Sequence, residues 1–92
     1  MTKEMQRIID AILANNEDTV RNMIRADVTI LSKDIEVGRV KMKPIHFAIA
    51  ARRANMIDII MEEDTTGFYH AVKDSMGWTP GMFRKFIDKE VE

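Results

Sequence analysis

The chain has 92 residues, with 14 basic and 15 acidic side chains, a net charge of −1 and 46% hydrophobic residues. That length fits a single domain over residues 1–92. The apolar share excludes a disordered chain, and the near-neutral balance excludes whole-molecule attraction to nucleic acid or to an anionic membrane. The absence of cysteine removes disulfides, thiolate nucleophiles and cysteine-based zinc sites, and it suits a reducing compartment. With a polar opening unlike a signal peptide, and no apolar run of about 18 residues, the expected location is the cytoplasm.

Met5, Ile8, Ile9, Ala11, Ile12 and Leu13 recur at helical spacing, which predicts a first helix with one apolar face. Asn15-Asn16 interrupts it, because asparagine competes for local backbone hydrogen bonds and favours caps and turns. A second helix follows, with Val20, Met23 and Ile24 as its buried stripe, so the pair reads as an antiparallel helical hairpin. From Asp27 the pattern changes. Val28, Ile30, Ile35, Val37, Val40 and Met42 alternate with polar residues, predicting extended structure with a turn at Gly38-Arg39.

Pro44 suits the first turn of a third helix, which continues through Ile45-His46-Phe47-Ala48-Ile49-Ala50-Ala51. A break at Arg53-Ala54-Asn55 precedes a fourth helix carrying Met56, Ile57, Ile59, Ile60 and Met61. Asn55 is its predicted cap, and Asp58 is expected to stabilise the first turn. The acidic run Glu62-Glu63-Asp64 opposes the helix dipole and predicts fraying at its end. Residues 67–77 carry no clear periodicity. Gly77-Trp78-Thr79-Pro80 opens a last helix, with Thr79 as cap, Pro80 at the first helical position and Met82, Phe83, Phe86 and Ile87 as its apolar stripe.

The two helical hairpins superpose without a gap. Ala11 falls on Ala48, Val20 on Ile57, Met23 on Ile60 and Ile24 on Met61, always 37 positions apart, while Pro44 and Pro80 lie 36 apart. Fixed-offset similarity of this size predicts stacked units, each covering its neighbour's apolar flank. The expected fold class is therefore mainly α, a stack of helical hairpins with a short β-hairpin-like connection near residues 28–43.

Lys43-Pro44-Ile45-His46-Phe47-Ala48-Ile49-Ala50 resembles the Thr-Pro-Leu-His-x-Ala-Ala signature of ankyrin repeats. Gly77-Trp78-Thr79-Pro80 resembles the Gly-x-Thr-Pro start of another repeat. Asn15 to Val20 and Asp27-Val28-Thr29 look like the second helix and the Asp-Val-Asn hairpin of a first. The likeness spans residues 5–87 as two repeats and a fragment. It departs from the family in the missing Pro-x-His of the first unit, in Gly81 where leucine is usual, and in a spacing above the usual period of about 33 residues. An insertion in each hairpin connection accounts for the longer spacing.

The resemblance implies a non-enzymatic protein-binding module without cofactor or metal, acting as a small adaptor or stoichiometric inhibitor. It also implies a structural role for His46, tying neighbouring turns by hydrogen bonds. No Cys, second His or paired carboxylate stands at a spacing that completes a metal site or triad with it, and His70 reads as a solvated loop residue. The four glycines form no phosphate-binding loop, and Asp64 to Gly67 has too few alternating oxygen ligands for calcium.

In an ankyrin-like stack, connection and inner helix share the concave side. That would gather Lys33, Arg39, Lys41, Lys43, Arg52 and Arg53 into one basic surface, opposite the acidic Asp58, Glu62, Glu63 and Asp64. The bland reading is an ordinary solvated hairpin. Trp78 is either a contact residue or the cover of the last unit. Met23, Met56, Met61 and Met82 read as core filling, whereas Met42 and Met76 read as exposed contacts. An acidic protein surface is the expected partner, and the alternative is a nucleic-acid-binding helical domain using the Lys33–Arg53 cluster. So few units leave both ends of the stack exposed, which predicts self-association or an apolar end cap.

Overall fold

The computed structural model describes residues 2–67 and 72–91, with side chains as far as residue 87; His70 lies outside the described residues. It is mainly helical. In order come α1 (Lys3–Leu13), α2 (Glu17–Ala26), a 3-10 helix (Val28–Ser32), β1 (Ile35–Val37), β2 (Val40–Met42), α3 (Pro44–Ala50), α4 (Ala54–Glu63) and α5 (Pro80–Val91).

Local chemistry sets the helix ends. Thr2 Oγ1 accepts the Met5 N–H at 3.2 Å and starts α1, and Asn16 Oδ1 accepts the Thr19 N–H at 3.3 Å and starts α2. Between them the chain reverses through Asn15 at φ 58°, and the Asn16 N–H returns to the Ala11 carbonyl at 2.8 Å. The second hairpin repeats this turn. Arg52 has φ 58°, and the Arg53 N–H returns to the Ala48 carbonyl at 3.1 Å.

The correspondence goes further. The bounds of α2 shifted by 37 residues are those of α4 (17 against 54, 26 against 63). Past each helix an aspartate folds the chain in the same way: Asp27 Oδ1 accepts the Thr29 N–H, and Asp64 Oδ1 accepts the Thr66 N–H, both at 3.1 Å. The sequence offset is thus a three-dimensional repeat.

The hairpins lie side by side, with α2 against α4 and α1 against α3, while α5 packs on α3. Ile8, Ile12, Val20, Ile24, Ile30, Ile35, Met56 and Ile60 sit at the centre of one continuous core. A buried aliphatic side chain of this size contributes about 1.5–3 kcal/mol of transfer free energy. Polar groups at the rim fix the stacking register. Asn55 Nδ2 donates to Asn15 Oδ1 at 2.7 Å and Glu17 Oε2 at 3.0 Å, Arg53 Nη2 donates to the Leu13 carbonyl at 3.1 Å, and Glu63 accepts from Arg21 and Arg25 at 2.8–2.9 Å.

Several expectations change. Val28 to Ser32 form a 3-10 helix rather than a strand, because Asp27 caps Thr29 and the Ser32 hydroxyl donates to the Thr29 carbonyl, offering the backbone local partners in place of a ladder. The hairpin is correspondingly shorter, pairing Ile35 with Met42 and Val37 with Val40. Gly38 supplies the positive φ, 61°, that the glycine-first two-residue turn needs.

Asn55 lies inside α4, which starts one residue earlier, and its amide serves the neighbouring hairpin instead of the helix end. Met61 and Met82, read as core, are 37% and 52% exposed, and Met42, read as exposed, is buried. The acidic end of α4 is met by the arginines of α2. The Arg25 hydrogen bond holds the Glu63 carboxyl below its ordinary pKa despite some desolvation.

Candidate functional site

His46 stands in the first turn of α3, fully buried. Its Nδ1 accepts the Lys43 N–H at 3.3 Å, so the proton sits on Nε2, which donates to the Trp78 carbonyl at 2.8 Å. Phe83 meets the ring edge-on at 5.5 Å. Burial holds the imidazole below its usual pKa of 6.5, outweighing the Trp78 carbonyl and the Asp74 charge, which favour the cation. A neutral imidazole with both nitrogens bonded to backbone is a cross-brace, not a free base. Among the described residues no three His, Asp or Glu side chains are grouped to hold a metal ion.

The brace belongs to a larger joint between successive connections. The Lys41 N–H donates to Ser75 Oγ at 3.0 Å, and the Ser75 N–H donates to the Lys41 carbonyl at 2.7 Å. Asp74, buried, organises the second connection by accepting the Met76 and Trp78 N–H groups, each at 2.9 Å, while its own N–H reaches the Trp78 carbonyl at 3.0 Å. Sequence reasoning missed Asp74 and Ser75. The signal was weak, since one aspartate two residues before a bonded N–H is legible only once Asp27 and Asp64 are seen to do the same.

The six basic residues have different fates. Lys33 bridges Glu4 at 3.3 Å and Asp27 at 3.6 Å; its ammonium pKa rises, chiefly through the Glu4 hydrogen bond. Lys41 faces Glu36 across the strands at 4.0 Å, Lys43 pairs with Asp34, and Arg53 caps the end of α1. Arg39, in the hairpin turn, and Arg52, in the α3–α4 turn, are exposed and form no ion pair among the described residues. The ion-paired lysines leave less uncompensated charge for a phosphate backbone than the sequence suggests.

Trp78 is half-buried, its indole edge-on to Phe86 at 4.9 Å and to Phe83 at 6.3 Å. It walls an open hollow of about 300 Å³ with Val40, Met42, Met76 and the two phenylalanines, against the Asp74 turn. Met76 is 65% exposed at its mouth, and Phe86 45%. Trp78 therefore both covers α5 and lines accessible apolar surface.

No family model, curated protein or solved structure matches the chain. Among the described residues no helix is long and apolar enough to cross a membrane.

Proposed function

We infer that the chain is a non-enzymatic protein-binding module of the ankyrin-repeat kind, acting in the cytoplasm as a small adaptor or stoichiometric inhibitor. The observation that carries this reading is the 37-residue repeat of α2 in α4, with their turns and aspartate caps, joined to bonded connections that present Met76 and Trp78 beside α5. Repeats of this sort build an extended surface in which the stack is scaffold and the connections make contact. The ionic partners of Lys33, Lys41 and Lys43 give these side chains a structural duty, so recognition falls to the exposed Arg39 of the hairpin turn and to the apolar hollow lined by Val40, Met42, Met76 and Trp78. An aromatic and thioether wall, with an exposed guanidinium in the turn of the same hairpin, suits an acidic, partly apolar protein surface.

The test is capture of a partner from the native cell extract by the wild type and by an Arg39→Glu, Met76→Ser variant. Both substitutions lie at exposed positions and should leave the circular dichroism spectrum unchanged. Loss of the captured protein in the variant supports the reading, and undiminished capture contradicts it.

A further inference from the structure

A groove runs beside α4, away from the hairpin face, as two cavities of about 260 and 180 Å³ that share Ile49, Ile57 and Arg84 in their lining. Met61 is at its edge, 37% exposed, although Ile24, its equivalent 37 residues earlier, is 1% exposed with α4 lying against α2. The molecule therefore contains both a covered and an uncovered copy of one helix flank, and the covered copy shows what the other fits.

On the covered copy, the occupant is α4 itself. Its Asn55 meets Asn15 and Glu17, its Met56 and Ile59 are buried, and its Glu63 meets Arg21 and Arg25. Shifted by 37 positions, Asn15, Arg21 and Arg25 become Arg52, Asp58 and Glu62. The flank of α4 thus carries a cation at its N-terminal end and, on the rim outside the lining of the two cavities, two carboxylates towards its C-terminal end, while Arg84 of α5 adds a second cation to the lining of both cavities. Arg52 lines the groove and forms no ion pair among the described residues, and Glu62 touches Arg21 only at 3.5 Å with its side chain 66% exposed. The charges are inverted relative to those that α2 presents.

We propose that this groove takes an amphipathic helix of a partner protein. An acidic residue at the position corresponding to Asn55 meets Arg52. Apolar residues corresponding to Met56 and Ile59 lie over Ile57 and Met61. A basic residue corresponding to Glu63, eight positions after the acidic one, meets Asp58 and Glu62. Acid first and base last is also the order that a helix dipole favours within the incoming segment. The proposal shares with the preceding reading only a protein partner, and it uses a different surface.

Two synthetic peptides of identical composition test it, one with the acidic residue first and the basic residue eight positions later, the other with the two exchanged. Fluorescence anisotropy of the labelled peptides against the full chain should show the acid-first peptide binding more tightly, by about fivefold or more, as expected for two or three exposed charge pairs. Intrinsic helicity differs between the peptides, so the decisive arm is an Asp58→Lys, Glu62→Lys, Arg52→Glu variant, in which the preference should reverse. Arg39→Glu, Met76→Ser should leave peptide binding unchanged, which separates failure here from failure of the hairpin-face reading. Absence of binding by both peptides, equal binding, an unreversed preference, or loss of binding in the hairpin variant would each overturn the proposal. So would self-association of the free chain that Met61→Asp abolishes, because the groove would then belong to a second copy.

Discussion

The two helical hairpins are built on one plan and placed in different surroundings. At equivalent positions Val20 and Ile57 are both buried, yet Ile24 is 1% exposed and Met61 37%; Arg21 pairs with Glu62 and Glu63, whereas its counterpart Asp58 is exposed with no ion pair among the described residues. Nothing intrinsic to the helices produces this difference, since their bounds and turns coincide. The neighbour produces it. In a repeat structure an apolar position becomes core only when the next unit arrives, so the stripe on a helix marks what can be buried rather than what is.

The largest test of that comparison removes the same chemistry from both copies. Ile24→Ala should cost about 2–5 kcal/mol in urea unfolding, because it opens a cavity under α4. Met61→Ala should cost about 0.5 kcal/mol, since much of that side chain already meets water. Equal losses would mean that the two flanks do not differ in the way their exposures indicate.

A second test sharpens the comparison at the joint between connections, where His46 has no counterpart in the first unit. His46→Ala should cost about 1–3 kcal/mol at neutral pH through the lost backbone bonds. It should also change the pH profile. The folded imidazole is held below its ordinary 6.5, so the unfolded chain binds the proton first, and wild-type stability is full above about pH 6.5 and declines as pH falls below it. The variant should lack that step. A further decline should begin in both proteins below the ordinary carboxylate value of 4.5, as Glu63 loses its arginine-stabilised charge. An unaltered profile between pH 4.5 and 6.5 in the variant would show that His46 is not buried in the neutral form.

The smallest effect lies in the two reversing turns. Asn15 and Arg52 share φ 58°, a conformation that asparagine tolerates and arginine does not favour. Arg52→Asn transplants the first turn's residue and should stabilise the fold by about 0.5 kcal/mol, read from the shift in urea midpoint.

Much of the fold was legible because it is written locally. The helices follow from apolar spacing, Asn16 and Thr79 cap as their side chains dictate, and Gly38 turns the hairpin. The misread residues depend on partners distant in sequence. Asn55 looks like a cap until Asn15 and Glu17 come within reach, and Met61 and Met42 exchange expected environments according to which unit stands beside them. The basic cluster was visible as composition, but its pairing with Glu4, Asp34 and Glu36 required the chain to be folded.

The central claim is that the second hairpin shelters the first as one cooperative stack. Native-state amide hydrogen exchange of the wild type and Ile24→Ala tests it most directly. The account predicts that the substitution lowers the protection of amides in α4, from Ile57 to Ile60, by as much as that of amides in α2. Loss of protection confined to α2, with α4 unchanged, would show two hairpins that stand independently and would contradict it.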